Sequence, residues 1–248
     1  MKKRIAFYIL VFMCLLVNFN IVYATPAILS ESAVLIDASS GTILAQKNAD
    51  KKMYPASLTK IMTAILAIEL GELTDVITVD DDTPFEIEGS HIALEPGEIL
   101  TLKDLLYALM LPSANDAASV IAKHYGGSLE NFVKMMNQKA KELGAYNTNF
   151  TNPHGLHDTN HYSTAADLAL ITKYTMENDT FRKIVSTTKY EIQTTNKKDE
   201  PRYFTTLNKL IYNTSYNQIY VDGAYISPYY EYATGAKTGY TPQAGNCL

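Results

Sequence analysis

Ser57-Leu58-Thr59-Lys60 sets a hydroxyl three residues ahead of an amine, and Ser113-Ala114-Asn115 and Lys237-Thr238-Gly239 follow it along the chain. Together they supply a nucleophile beside a base, a second hydroxyl beside an amide, and a cation for a carboxylate, the parts of an acyl-transferring serine enzyme. At i and i+3, Ser57 and Lys60 share one helical face. A lysine takes a proton from serine only if its pKa is lowered, and Leu58, Ile61 and Met62, with the positive end of a helix, disfavour the ammonium form. The plainer reading is a serine N-cap followed by a solvated lysine. Ser186-Thr187-Thr188-Lys189 is such a decoy, and Ser215-Tyr216-Asn217 repeats the S-x-N pattern. Two features set the first copy apart: Pro55 stops the chain before it, and the uncharged stretch 61–68 after it must be buried and draws Lys60 inward.

Ser113 and Asn115 fall on a corner made by Pro112, where side chains can point into a cleft. Ser113 could relay protons between Lys60, Ser57 and a leaving amine, and Asn115 could hydrogen-bond a substrate backbone; the alternative is that Ser113 only caps the next helix. Lys237-Thr238-Gly239 reads as a strand lacking bulk at Gly239, so a substrate chain can lie against it while Lys237 and Thr238 meet a terminal carboxylate. A phosphate loop is excluded there, because Ala236 stands where a glycine must precede the lysine. His154, His157, Asp158 and His161 are crowded, but their spacing fits no zinc pattern, and hydrogen-bonded loop histidines are expected.

The elements that position these groups follow from periodicity. Runs 33–37 and 42–46 flank Ser39-Ser40-Gly41 and predict a β-hairpin. Leu58, Ile61, Met62, Ile65, Leu66 and Leu70 recur at helical spacing up to Gly71. Residues 101–143 predict three helices: one with a Thr101–Asp104 capping box, one over 116–125 stopping at Gly126-Gly127, and one over 128–143. After a polar loop over 147–161 another helix begins at Ser163 or Thr164. Beyond Glu177 the runs 190–194 and 203–207 predict strands.

Met1-Lys2-Lys3-Arg4, the apolar run 5–17 and Val22-Tyr23-Ala24 read as a secretory leader over residues 1–24, which places the mature protein outside the cytoplasm; a retained N-terminal anchor is the alternative. Loss of the leader removes three basic residues and takes the formal net charge from −5 to −8. So acidic a surface excludes a nucleic-acid partner. Once Cys14 goes with the leader, Cys247 is the remaining cysteine, so no intrachain disulfide can form. Residues 25–248 suffice for one domain.

With these residues identified, the chain resembles the serine D-alanyl-D-alanine carboxypeptidases, the low-molecular-mass penicillin-binding proteins. The likeness spans residues 30–248 and includes Leu35-Ile36-Asp37-Ala38, the run 54–64, the run 111–118, Asn152-Pro153-His154-Gly155-Leu156 and Lys237-Thr238-Gly239-Tyr240-Thr241. It implies an α+β, β-lactamase/transpeptidase-like fold, an antiparallel sheet packed with helices plus an all-helical lobe. It also implies Ser57 as nucleophile, Lys60 as base, and Ser113 and Asn115 assisting. Lys237 and Thr238 would hold the carboxylate of a peptidoglycan stem peptide ending in D-Ala-D-Ala, and the backbone N–H groups of Ser57 and Tyr240 would meet the oxyanion. No metal or organic cofactor is expected, and β-lactams are the expected covalent inhibitors. The family's further strands, second domain and membrane-binding helix are expected to lie beyond this span, leaving an incomplete sheet. Two other readings follow: a truncated, non-catalytic fragment that binds penicillin or cell wall, and a class A-type β-lactamase, for which residues 150–180 offer Glu177 as the sole glutamate.

Overall fold

The structure is a computed structural model that describes residues 28–83, 88–216, 218–221 and 223–248. The expected leader lies outside these residues. Among them, no helix is long and apolar enough to cross a membrane.

The chain opens with the predicted hairpin, β1 (Ala33–Ile36) and β2 (Ile43–Lys47), paired antiparallel from Ala33 opposite Lys47. Its turn is tied by the Asp37 carboxylate, which accepts from the Ser40 N–H and the hydroxyls of Ser39 and Ser40. A 3₁₀ turn, Ala56–Thr59, then runs directly into α1 (Lys60–Leu70). Strands β3 (Val76–Thr78) and β4 (Ile99–Thr101) pair and lead into α2 (Leu102–Met110). The Thr101–Asp104 capping box is present in both directions. After the Pro112 corner come α3 (Asn115–Gly126) and α4 (Leu129–Glu142), separated by Gly127 in the left-handed conformation.

Helix α1 packs against α2, α3 and α4, and it is apolar almost all round because it lies inside the bundle. Every residue from Lys60 to Ala67 is buried, and Met62, Leu102, Leu105, Leu106, Leu109 and Phe132 surround one another in the core. Helix α5 (Ala165–Met176) begins at Thr164, whose hydroxyl accepts from the Asp167 N–H, and it packs between β1 and α1.

The sequence reading expected only β character beyond Glu177, and here the fold differs. Helix α6 (Asp179–Ser186) is capped by Asn178 and buries Phe181, Ile184 and Val185, an i, i+3, i+4 stripe. Pairs β5 (Lys189–Ile192) with β6 (Arg202–Thr205), β7 (Ile219–Val221) with β8 (Ala224–Ile226), and β9 (Gly239–Thr241) with β10 (Gly245–Cys247) follow. Among the described residues the strands form five separate antiparallel pairs. The α+β class holds, built from hairpins around a helical core.

Candidate active site

Lys60 begins α1 at the centre of the site. With 0% of its surface exposed, its ammonium has no water to solvate it. Its Nζ lies 3.1 Å from Ser57 Oγ, 2.7 Å from Asn115 Oδ1 and 2.6 Å from the His154 carbonyl oxygen. Burial pushes the Lys60 pKa well below its ordinary value; the nearby positive charge of Lys237 pushes the same way, and the Asp116 carboxylate opposes both. A neutral amine has two N–H donors and one lone pair. The two carbonyl-type oxygens take the donors, and the lone pair faces the Ser57 hydroxyl. Charge was predicted to be suppressed here by helix neighbours, and complete burial within the bundle produces that result.

Two loops hold this arrangement. In the first, Asn152 shapes a turn by accepting from the His154 and Gly155 N–H groups and donating to the Leu156 carbonyl. The turn presents consecutive carbonyls to consecutive turns of α1, with Pro153 O accepting from the Thr63 hydroxyl at 2.6 Å and His154 O accepting from Lys60. Gly155 adopts φ +88°, and a Cβ there would lie 1.9 Å from the Ala56 carbonyl oxygen, so only glycine permits the contact. Ala56 itself is left-handed, at φ +47°, immediately before the nucleophile. In the second loop, the Glu88 carbonyl accepts from Asn115 Nδ2 at 2.7 Å, which fixes which end of that amide faces Lys60.

Ser113 is buried at φ +67°, and the helix N-cap is Ala114, without a side-chain cap bond. The capping role considered for Ser113 is therefore overturned. Its hydroxyl has no hydrogen-bond partner among the described residues, and the contacts of Lys60 run to Ser57, Asn115 and His154.

The third stretch arrives from the far end of the chain. Strand β9 starts at Gly239, so Lys237 and Thr238 stand in the approach to the strand and not within it, a correction to the predicted strand bounds. β9 packs on the 3₁₀ turn. A Cβ on Gly239 would fall 2.9 Å from Ser57 N and 3.3 Å from Leu58 N, so the strand backbone lies directly against the nucleophile's amide. Lys237 is 3% exposed and its Nζ donates to the Thr238 carbonyl at 2.8 Å. It has no carboxylate partner among the described residues, and burial pulls its pKa down to about 7. Tyr240, 63% exposed, turns its ring to solvent beside this strand.

The crowded histidines have structural partners. His161 accepts the Thr151 N–H at Nδ1 and contacts Thr59 Oγ1 through Nε2 at 2.7 Å. Because Thr59 Oγ1 donates to the Ala56 carbonyl, we assign the Nε2 proton to His161 and its donation to Thr59. Burial holds His161 near pKa 4 and His154 near 3, so both rings are neutral. His157 packs edge-on against Tyr54. Glu177, the glutamate available to the β-lactamase alternative, is exposed and paired with Lys173. The decoys also separate: Ser186 ends α6 on the surface and Lys189 is exposed on β5.

Sequence reasoning missed the carbonyls of Pro153 and His154 as the groups that position α1 and Lys60, because a backbone acceptor carries no residue signature. The glycine after His154 was the available signal.

Residues 20–248 match the profile of the D-alanyl-D-alanine carboxypeptidase peptidase family. The chain is 37% identical over 224 residues to the D-alanyl-D-alanine carboxypeptidase DacF of Bacillus subtilis (strain 168), covering 88% of this chain and 53% of that protein, so it spans about half the length of this relative. It is 34% identical over 234 residues to the D-alanyl-D-alanine carboxypeptidase of Streptomyces sp. (strain K15), covering 90% of this chain and 76% of that one. The crystal structure of the Streptomyces K15 DD-transpeptidase superposes with a TM-score of 0.78 at 29% identity, over 91% of this chain and 86% of that chain. Matched by this family over residues 20–248, with Ser57, Lys60 and Asn115 in hydrogen-bond contact, the chain belongs to the D-alanyl-D-alanine carboxypeptidase family.

Proposed function

We propose that the protein is a serine D-Ala-D-Ala carboxypeptidase that removes the terminal D-alanine from peptidoglycan stem peptides outside the cytoplasm. The observation that carries this reading is the fully buried Lys60 amine, held by Asn115 and His154 with Ser57 Oγ as its third neighbour.

Neutral Lys60 takes the Ser57 proton as Oγ attacks the carbonyl carbon of the penultimate D-alanine. The oxyanion is met by the Ser57 and Tyr240 backbone N–H groups, a pairing supported by the close approach of Gly239 to Ser57 N. The C–N bond breaks, the proton passes from Lys60 through Ser113 to the departing amine, and D-alanine leaves. Water, deprotonated by Lys60, attacks the Ser57 ester and releases the shortened peptide. Lys237, protonated, and the Thr238 hydroxyl bind the terminal carboxylate, which is the anion that the buried cation lacks in the free protein. β-Lactams react at Ser57 in the same way and remain as the acyl-enzyme. Residues 1–24 act as the leader that exports the chain.

A fluorescent penicillin should label the protein and fail to label Ser57→Ala, and a D-Ala-D-Ala peptide should yield free D-alanine. Labelling that survives Ser57→Ala would remove the nucleophile assignment.

A further inference from the structure

The residue after Asn115 has no assigned part in this chemistry, yet its surroundings are unusual. Asp116 is 2% exposed in the first turn of α3 and, among the described residues, pairs with no lysine or arginine by direct contact. Its carboxylate accepts the Ile92 N–H at 3.2 and 3.1 Å, the Leu94 N–H at 3.2 Å and the Ala117 N–H at 2.9 Å. Ile92 and Leu94 are buried and flank Ala93, whose φ of +55° turns both amides toward the same carboxylate. The segment from Glu88 to Leu94 is thus fastened to the start of α3 at several points: Asn115 N donates to Ser90 O at 2.7 Å, Asn115 Nδ2 donates to Glu88 O, and Asp116 closes the far side. The same Asn115 amide holds Lys60 at its other end.

We propose that Asp116 is a positioning residue for Lys60: it clamps segment 88–94 so that the Asn115 amide stays braced between Glu88 and the lysine, and it supplies the negative charge facing that lysine. Among the described residues, the ionisable groups facing Lys60 are Lys237 from the approach to β9, His154 and His161 from the 147–161 loop, and Asp116 from α3. The two histidines are neutral. Asp116 is therefore the one carboxylate among them, and its loss leaves Lys60 facing Lys237 without a counter-charge. The catalytic consequence rests on Lys60 acting as the base; the clamp and the charge do not.

The test compares the wild type with Asp116→Asn, which keeps shape and removes charge, and with Asp116→Ala. Selective ¹³Cε-lysine NMR follows the Lys60 titration, amide exchange follows Ile92 and Leu94, and the rate of penicillin acylation is recorded against pH. We expect Lys60 in Asp116→Asn to titrate lower than in the wild type, since removal of a nearby opposite charge favours the neutral amine. We expect the two amides to exchange faster, and acylation to fall roughly tenfold to 100-fold through misplacement of Asn115 and Lys60. A merely structural aspartate would lower acylation equally at every pH and leave the Lys60 titration in place. Titration of Lys60 at the same pH in both proteins, or in neither, or unchanged exchange at Ile92 and Leu94, would overturn the proposal. If the wild type is not acylated, the functional reading fails, while the titration and exchange measurements still decide the role of Asp116.

Discussion

Gly155→Ala is the sharpest probe of how this site is built. The added Cβ would sit 1.9 Å from the Ala56 carbonyl oxygen, 2.4 Å from its carbon and 3.0 Å from Ser57 N, where ordinary contact begins at 3.4 Å. Relief therefore requires roughly 1.5 Å of movement between the 152–156 turn and the 3₁₀ turn, and both are backbone, with no flexible side chain to yield. The first carries the His154 carbonyl that holds Lys60, and the second carries Ser57. A displacement of about 1 Å in positioned groups costs on the order of 100-fold in rate, so acylation should fall by at least that factor.

The stability cost has two parts, and the fold contains a control that separates them. An alanine held at φ +88° costs about 1 to 3 kcal/mol from backbone strain alone. Gly144 has φ +84° with nothing within 4 Å of a built Cβ, so Gly144→Ala carries the strain without the contact. Overpacking at Gly155 adds a further 1 to 3 kcal/mol or so. Thermal unfolding and penicillin acylation of the two variants, measured together, give the comparison. Gly155→Ala should melt below Gly144→Ala and acylate far more slowly. If Gly155→Ala acylates within threefold of wild type, or melts no lower than its control, the 152–156 turn does not position the nucleophile as argued.

Other expectations follow from the same geometry. Gly239→Ala places a Cβ 2.9 Å from Ser57 N, so penicillin acylation should fall on the order of 100-fold with a smaller loss of stability, and a rate near wild type would separate β9 from the oxyanion site. Thr63→Val removes the donor to Pro153 O and leaves that buried carbonyl unpaired, so denaturant unfolding should show a loss of about 1 to 3 kcal/mol, and an unchanged midpoint would contradict it. Lys237 must be protonated to bind a carboxylate and titrates near 7 in the free protein, so kcat/KM for D-Ala-D-Ala peptides should decline as pH rises through about 7; a flat profile across that range would refute its role.

Of the groups that meet at the Lys60 amine, the side chains of Ser57 and Asn115 were legible in the sequence, and the His154 carbonyl was not. Ser57 and Lys60 could be chosen over Ser186 and Lys189 because uncharged residues 61–68 required burial, and the bundle around α1 delivers it. The Thr101–Asp104 box and the Thr164 cap were readable because caps use side chains at fixed offsets. By contrast, α6 was hidden by its shortness and by Thr180, Ile184 and Val185, whose branching suits strands; only the Phe181, Ile184, Val185 spacing betrayed it. The left-handed backbone at Ala56 and Ser113 was also illegible, since neither residue type signals it. Both lie at the site, where local preference yields to the positioning of a reacting group.

Lys237 shows what that positioning costs. A buried lysine whose folded pKa lies below its unfolded value of 10.5 destabilises the fold wherever the unfolded chain is protonated and the folded one resists it. For Lys237 the penalty is full below pH about 7 and fades as pH rises from about 7 toward 10.5, so this residue makes the wild type more stable with rising pH across that window. At about 1.4 kcal/mol per pKa unit, the ceiling is on the order of 5 kcal/mol, and water entry or relaxation on protonation reduces it. Lys237→Met keeps the apolar length and drops the charge. It should melt higher than wild type at pH about 6, lose that advantage as pH approaches 10, and bind carboxylate-ended substrates poorly. A variant that is no more stable at pH about 6 would mean that the free protein already supplies Lys237 with a counter-charge, and the carboxylate would then have to compete for the cation instead of completing it.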